Sequence, residues 1–368
     1  MTHLKPCRWG ILGTAQIARK NWQAISDAGN ARLIAVASRD ASKSAAFIAE
    51  CQAAIPHPEV PQALGSYEEL IAHPEVDAIY FPLPTGIRKD WVIRAAEAGK
   101  HVLVEKPVGV STSDVLEIIA TCERNHVQFM DGVMFMHNER MRQVMKTLTS
   151  DSSIGKIRRI TTQFSFHGGA EFLEQNIRTH SDLEPQGCLG DLGWYCIRFT
   201  LGAMNWQMPK RVTGRILSQV QQKDAPHSVP TEFSGELFFE NGTSAAFFCS
   251  FIAENQQWAV VSGEKGLLRV NDFVLPFKGD QTHYSVTQSQ FQVRNCQFDM
   301  VEGRRDVTVA EPSNNAPRSQ EAELFRTFSD LMIKGSLDSH WPFISLQTQT
   351  VMEACLRSAR ENSGIVPL

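Results

Sequence analysis

The chain has 368 residues, of which 42% are hydrophobic and 21% charged, and its formal net charge is -4. This is the composition of an ordinary globular protein, and a chain of this length usually folds as two domains. A net negative charge gives no electrostatic basis for binding nucleic acid. No apolar run is long enough to span a membrane, and the N-terminus lacks the apolar core of a signal peptide, so we expect a cytoplasmic protein.

The eight cysteines are scattered along the chain, with no closely spaced pair and no cluster of histidines beside them. Zinc sites and disulfide frameworks both require such spacing. We therefore expect no metal site, and we expect most of the thiols to be reduced and buried.

The first third of the chain alternates strands and helices. Short apolar runs that predict strands lie at residues 8–13, 33–38, 78–83, 101–104 and 128–134. Helical patterns lie at residues 17–28, 42–54, 66–72, 90–98 and 113–124. This alternation predicts right-handed crossovers and a doubly wound parallel sheet, which binds its ligand at the carboxyl ends of the strands. We predict a Rossmann domain over residues 1–126.

The pattern changes to longer strands after residue 157. Strands are predicted at residues 157–166, 211–217, 232–239, 244–252, 258–262 and 267–270, and helices at 190–201 and 320–333. Asn241-Gly242 predicts a tight hairpin, which is typical of antiparallel pairing. We predict an α+β domain over residues 127–368 with a large, mainly antiparallel open sheet. It would bind the substrate, a small molecule, and its open face would form a homodimer or a larger homo-oligomer.

The end of the first predicted strand runs through a small-residue turn directly into a helix. This context fits a dinucleotide site, because a helix N-terminus offers unpaired N–H groups to a pyrophosphate. Alanines stand where the motif usually has its second and third glycines, so an ordinary βα turn is the alternative. The predicted cofactor contacts here are Gly13, Thr14, Ala15, Gln16 and Ile17.

The residues after the second strand bear on the choice of cofactor. Ser38 and Arg39 come first, and a hydroxyl beside a guanidinium suits the 2′-phosphate of NADP. Asp40 follows, and a carboxylate at this point is typical of NAD enzymes, where it binds the ribose. We predict NADP, with NAD possible if Asp40 is the ribose ligand.

Three motifs lie on successive βα edges: GTAQIA from Gly13, FPLPT ending at Thr85, and Glu105-Lys106-Pro107. Together with GDLGWY at residues 190–195, they resemble the Gfo/Idh/MocA oxidoreductases, and most closely the branch of the dihydrodiol and D-xylose dehydrogenases. Thr85 replaces the family's usual Asn, and the usual His near Arg88 is absent. The resemblance implies further cofactor contacts at Pro82, Leu83, Pro84, Thr85, Glu105 and Lys106.

Oxidation of a secondary alcohol requires a base for the hydroxyl proton and a cation that stabilises the developing alkoxide while hydride leaves. The resemblance makes Tyr195 the acid/base and places Lys106 against the substrate hydroxyl and the nicotinamide ribose. A lysine cation would also lower the pKa of a phenol from its usual value of about 10. Asp191 is four residues before Tyr195, so on a helix both share a face. Asp191 would hold the lysine or the substrate hydroxyls.

Two residues have structural alternatives. Arg178 matches a recurring family arginine and would bind substrate oxygens, or it pins its own loop. Glu105 would orient a neighbour or contact the ribose, or it forms a structural ion pair.

We predict an NADP-preferring dehydrogenase, with Lys106, Tyr195 and Asp191 as catalytic residues and Arg178, Asp191 and Tyr195 as substrate contacts. Its substrate would carry a secondary alcohol or anomeric hydroxyl, as in a sugar, a polyol or a cyclic diol. One alternative is a glycosidase that uses bound NAD(P) in a transient redox step. The other is a non-catalytic regulatory protein that binds the cofactor.

Overall fold

The computed structural model describes residues 5–150 and 152–368. Contacts divide the chain into two compact units. The first unit comprises the residues up to His137 with Asp182–Pro185 and Asn314–Gln349, and the second comprises Asn138–Ser181, Gln186–Ser313 and Thr350–Leu368. A single boundary after residue 126 was predicted. In the structure the first unit also contains two later segments of the chain, Asp182–Pro185 and Asn314–Gln349. The assignment of cofactor and substrate domains stays a prediction.

A six-stranded parallel sheet forms the centre of the first unit. Its strands are β1 (Cys7–Leu12), β2 (Ala31–Ala37), β3 (Gln62–Leu64), β4 (Ala78–Phe81), β5 (His101–Val104) and β6 (Phe129–Asp131). Their order is β3-β2-β1-β4-β5-β6, and every neighbouring pair is parallel. The predicted doubly wound sheet is confirmed. The strand order reverses between β1 and β4, the point at which such sheets bind ligands.

Five helices connect these strands. They are α1 (Gln16–Ala28), α2 (Ala41–Ala54), α3 (Tyr67–Ile71), α4 (Thr85–Glu97) and α5 (Thr112–Arg124). Four begin within one residue of the predicted position. Helix α4 begins five residues before the predicted start at residue 90, since its first turn is capped by a distant part of the chain.

The second unit is built on a nine-stranded sheet. Its strands are β7 (Ile157–His167), β8 (Arg211–Val220), β9 (Val229–Phe238), β10 (Ser244–Ser250), β11 (Ile252–Gly263), β12 (Leu267–Val270), β13 (Thr282–Arg294), β14 (Gln297–Val309) and β15 (Val366–Pro367). Their order is β14-β13-β12-β11-β7-β10-β9-β8-β15. Neighbours are antiparallel except β7 and β10, which are parallel. The mainly antiparallel sheet is confirmed, and β9 and β10 meet at the predicted turn, where Gly242 has a φ of 85°.

Alternate residues along the central strands differ in burial, so one face of this sheet is more exposed than the other. Helices α6 (Glu139–Ser150), α7 (Gly169–Gln175) and α8 (Trp194–Ala203) belong to the second unit. Along β10, Phe247 and Cys249 are buried, whereas Ala246 and Phe248 on the opposite face are half-buried. Self-association through this open face stays a prediction.

Two helices near the C-terminus, α9 (Gln320–Lys334) and α10 (His340–Arg360), lie between β14 and β15 in the chain. Helix α9 belongs to the first unit, where Phe325 and Phe328 pack against the ring of Trp9. The Nε1 of Trp9 also donates a hydrogen bond to Ser329 at 3.0 Å. Within the described residues, no helix is long and apolar enough to cross a bilayer.

His101 makes the stability of the first unit sensitive to acid. Its Nδ1 accepts a hydrogen bond from the backbone N–H of Gln128 at 2.8 Å, and burial lowers the pKa of His101 to about 4, although Asp77 acts in the opposite direction. An unfolded histidine titrates near pH 6.5. Between these two pKa values the unfolded chain binds more protons, so stability is lost as the pH falls through that window.

We expect the free energy of unfolding to fall by roughly 2 to 3 kcal/mol between pH 6.5 and pH 4 through this group. His101→Gln should remove that part of the loss, whereas replacement of the exposed His227 by Gln serves as the control. Urea titrations at several pH values measure the effect. An equal fall in the native chain and in His101→Gln would contradict the assignment.

Candidate cofactor-binding and catalytic site

The turn after β1 has the backbone of a dinucleotide-binding loop. Gly13 has a φ of 117°, which L side chains rarely adopt, and a Cβ added there would lie 3.0 Å from the side chain of Leu83. Helix α1 begins at Gln16, and Ala15 before it has no side-chain oxygen that could cap the first N–H groups. Ala18 is fully buried. The alanines are therefore compatible with a pyrophosphate at the N-terminus of α1.

Three residues follow the end of β2 and differ in their exposure and bonding. Ser38 is buried and Arg39 is exposed. Asp40 caps α2, since its Oδ1 accepts hydrogen bonds of 2.8 Å from both the N–H and the hydroxyl of Ser42. These bonds lower the pKa of Asp40. The carboxylate that would favour NAD is thus engaged as a helix cap.

The loop after β4 is held by a carboxylate that the sequence analysis did not identify. Glu184 accepts a hydrogen bond of 3.0 Å from the backbone N–H of Thr85 and one of 2.6 Å from its hydroxyl. The N–H of Gly86 donates to the carbonyl of Leu183 at 2.9 Å. All three bonds join residues about a hundred positions apart, and no local pattern signals such a cap.

The carboxylate of Glu105 belongs to an internal hydrogen-bond network. It accepts a bond of 2.6 Å from the hydroxyl of Tyr80, which accepts one of 2.6 Å from the side-chain amide of Asn21. Burial, and then the adjacent Glu105 carboxylate, hold the pKa of Tyr80 well above its ordinary value. A Cβ on Gly132 would lie 3.2 Å from Glu105 Oε1. Glu105 therefore holds the hydroxyl of a neighbouring tyrosine, and its contact with the ribose stays a prediction.

Arg88 fixes the backbone on both sides of Lys106. Its fully buried guanidinium donates to the carbonyl oxygens of Leu83 at 2.8 Å, of Glu105 at 2.5 Å and of Pro107. It thereby joins the turn after β4 to the turn after β5. The peptide bond between Lys106 and Pro107 is cis. The only sequence signal for Arg88 is the absence of the family's usual histidine near it.

The second unit contains the other predicted catalytic residues. Arg178 Nε lies 3.0 Å from Asp191 Oδ2, so these two side chains form an ion pair. Asp191 lies in a π-helical turn, Leu189–Gly193, which leads into α8. The helix predicted over residues 190–201 is present, but its first turn is π-helical, and π-helical turns often occur at functional sites. Tyr195 is buried in the first turn of α8, 5.6 Å from the ring of Phe164.

Each unit therefore holds part of the predicted site. The first contains four βα edges with their predicted cofactor contacts, at residues 13–17, 38–39, 82–85 and 105–106. The second brings together Arg178 and Asp191, with Tyr195 in the helix that follows.

A doubly wound parallel sheet with a glycine turn at its switch point, combined with an open-sheet α+β unit, defines the class of two-domain dinucleotide-binding proteins. A family model described as an oxidoreductase family with an NAD-binding Rossmann fold matches residues 7–133. The model of the GFO/IDH/MocA C-terminal domain matches residues 142–269. The chain therefore belongs to the Gfo/Idh/MocA family of oxidoreductases.

Similar proteins include two curated dehydrogenases. A D-xylose 1-dehydrogenase (NADP(+)) from Haloferax volcanii is 32% identical over 268 residues, which are 72% of this chain and 75% of that protein. A trans-1,2-dihydrobenzene-1,2-diol dehydrogenase from Xenopus laevis is 27% identical over 361 residues, 98% of both chains. The crystal structure of aldose-aldose oxidoreductase from Caulobacter crescentus shares the fold, with a TM-score of 0.79 and 23% identity over 99% of this chain and 100% of that one.

The hydrogen-bond bridge that Tyr80 forms between Asn21 and Glu105 can be tested by measuring the free energy of unfolding. Tyr80→Phe removes the hydroxyl that joins Asn21 to Glu105 and leaves both groups without this partner. We expect the free energy of unfolding to fall by about 1 to 3 kcal/mol. Because the two residues share one network, Asn21→Ala should lower the free energy of unfolding less in the Tyr80→Phe variant than in the native chain. Strict additivity in denaturant titrations would contradict the network.

Proposed function

We propose that the chain is an NADP-preferring dehydrogenase that oxidises a secondary alcohol or an anomeric hydroxyl of a sugar, a polyol or a cyclic diol. The observation that carries the proposal is the Glu105-Lys106-Pro107 turn at the carboxyl end of β5, whose carbonyls are bound by the buried Arg88. Relatives named for the oxidation of D-xylose and of a dihydrobenzene diol support this substrate class.

The residues of the first unit fit a dinucleotide. The N-terminus of α1 would bind the pyrophosphate, and the loops after β4 and β5 would contact the nicotinamide half. Ser38 and Arg39 would bind the 2′-phosphate, since Asp40 is engaged by Ser42. The cofactor, when bound, supplies the hydride acceptor.

The proton would be transferred by residues of this chain. In the proposal, Tyr195 takes the proton from the substrate hydroxyl, and the Lys106 cation favours the deprotonated phenol and the developing alkoxide. Asp191, paired with Arg178, would bind further substrate hydroxyls and fix the orientation of the reacting carbon. The roles of the two units rest on family membership and on this chemistry.

The direct test mixes the protein with NADP⁺ and a panel of aldoses and cyclic diols, and follows the absorbance of the reduced nicotinamide. Reduction with at least one member of the panel is expected. Cofactor binding without turnover on any member would favour the regulatory alternative. Glycoside cleavage without net reduction of cofactor would favour the glycosidase.

Lys106→Met and Tyr195→Phe test the catalytic assignment. Each should lower kcat by about 10²- to 10⁴-fold, because a positioned proton-transfer group or its cation is lost. The Kd for NADP⁺ should stay near the native value in Tyr195→Phe, whereas Lys106→Met is judged on kcat, because Lys106 is also a proposed cofactor contact. Lys146→Met, at an exposed lysine of α6, is the matched control. Native-like kcat in both variants would refute the mechanism.

Arg39→Ala tests the choice of cofactor. Loss of a charge-assisted bond to the 2′-phosphate should weaken NADP⁺ binding by about 10- to 100-fold and leave NAD⁺ binding unchanged. Arg32→Ala, which breaks an exposed ion pair with Glu59, is the control. Fluorescence titrations with both cofactors give the ratio. An equal loss of affinity for NADP⁺ and NAD⁺ would show that Arg39 does not bind the 2′-phosphate.

A further inference from the structure

Strands β13 and β14 extend beyond the rest of their sheet. Strand β12 pairs with residues 285–287 of β13, whereas β13 and β14 pair with each other along residues 282–294 and 297–309. Residues 288–303 therefore form a two-stranded ribbon at this end of the sheet. Of the residues that the structure describes in this ribbon, none is buried and only Gln292 is half-buried. A lone pair of strands is only marginally stable in water, and a covered apolar face stabilises it.

The two faces of the ribbon differ in chemistry. Phe291 is paired with Met300, and Val293 with Phe298. Because side chains alternate between the faces along a strand and directly paired residues share a face, these four apolar side chains lie on one face. Each of them is between 53% and 67% exposed. The opposite face carries mostly amide and charged side chains, at positions 290, 292, 294, 297 and 299.

The exposed apolar area on this face approaches what one side of a stable dimer needs. The ring centroids of Phe291 and Phe298 are 6.0 Å apart, and these side chains are 62% and 66% exposed. Since a phenylalanine can bury roughly 150 to 250 Å², the four side chains together offer roughly 400 to 500 Å². A standard interface covers about 800 Å² on each partner, of which somewhat more than half is apolar. Apolar patches of this size are commonly interaction sites.

We propose that this apolar face is a dimerisation surface, and that it is covered by the same face of a second copy of the chain. A face made of uncharged apolar side chains is complementary to itself, so two copies can stack it face to face around a two-fold axis. The polar face of each ribbon then stays in water. The inference places self-association on the ribbon, outside the central strands of the sheet, and it goes beyond the proposed oxidoreductase reaction.

A membrane surface fits the ribbon less well than a second copy does. Elements that bind membrane surfaces usually carry lysine and arginine beside their apolar face. The ribbon contains one basic residue, Arg294, and two acidic residues, Asp299 and Glu302. Its charge therefore gives no attraction to anionic lipids, whereas contact with a second copy through the apolar face requires no charge.

Phe291→Ser combined with Phe298→Ser tests the surface. The native chain should sediment as a dimer or a larger oligomer. The double variant should raise the dissociation constant of one association step at least about 100-fold, because two buried rings are lost from each side. Phe277→Ser is the matched control, since Phe277 is 65% exposed and lies outside the ribbon. Sedimentation equilibrium over a range of concentrations measures the constants. A monomeric native chain, or equal association of the native chain and the double variant, would overturn the proposal.

A charge exchange identifies what covers the ribbon. Phe298→Lys and Phe298→Glu each place like charges across a two-fold contact, so each variant alone should associate as weakly as the double variant. An equal mixture of the two should recover association, because opposite charges then face one another. This recovery also shows that both variants are folded. Its absence would overturn the face-to-face contact. Flotation of a monomeric native chain with phosphatidylcholine vesicles would place a bilayer on the ribbon and overturn the proposal as well.

Discussion

The buried guanidinium of Arg88 holds the turns at the carboxyl edge of the first unit's sheet in place. Taking a charge out of water costs several kcal/mol unless its hydrogen bonds are replaced. Here the carbonyls of Leu83, Glu105 and Pro107 replace them, and all three belong to turns at the carboxyl edge of the sheet. These hydrogen bonds offset the cost of burying the charge. They also prevent the turns from moving independently, and Lys106 lies between two of the bound carbonyls.

A second set of hydrogen bonds connects helix α1 to the turn after β5. Asn21 on α1, Tyr80 on β4 and Glu105 after β5 form one chain of hydrogen bonds. The helix that would receive the pyrophosphate and the turn that carries Lys106 are therefore joined through a buried tyrosine. Supporting networks of this kind hold a site in place before its ligand arrives.

Elements whose signal is local were predictable from the sequence. Strands β5 and β12 have the predicted bounds, because each is a short apolar run between turn residues. Strands β13 and β14 were not predicted, since much of this hairpin is exposed and lacks an alternation of buried residues. The start of α4 and the capping of α2 by Asp40 could not be predicted from the sequence either. The first depends on a carboxylate 99 residues away, and the second on where β2 ends.

Thr85 and Arg88 are best understood together. They lie three residues apart in the first turn of α4, and the structure connects both to Glu184. An arginine buried without a nearby anion would carry an uncompensated charge. Glu184 supplies that anion, and Thr85 holds it by two hydrogen bonds. Thr85 and Arg88 are thus physically coupled through Glu184, and Arg88 in turn binds the backbone on both sides of Lys106.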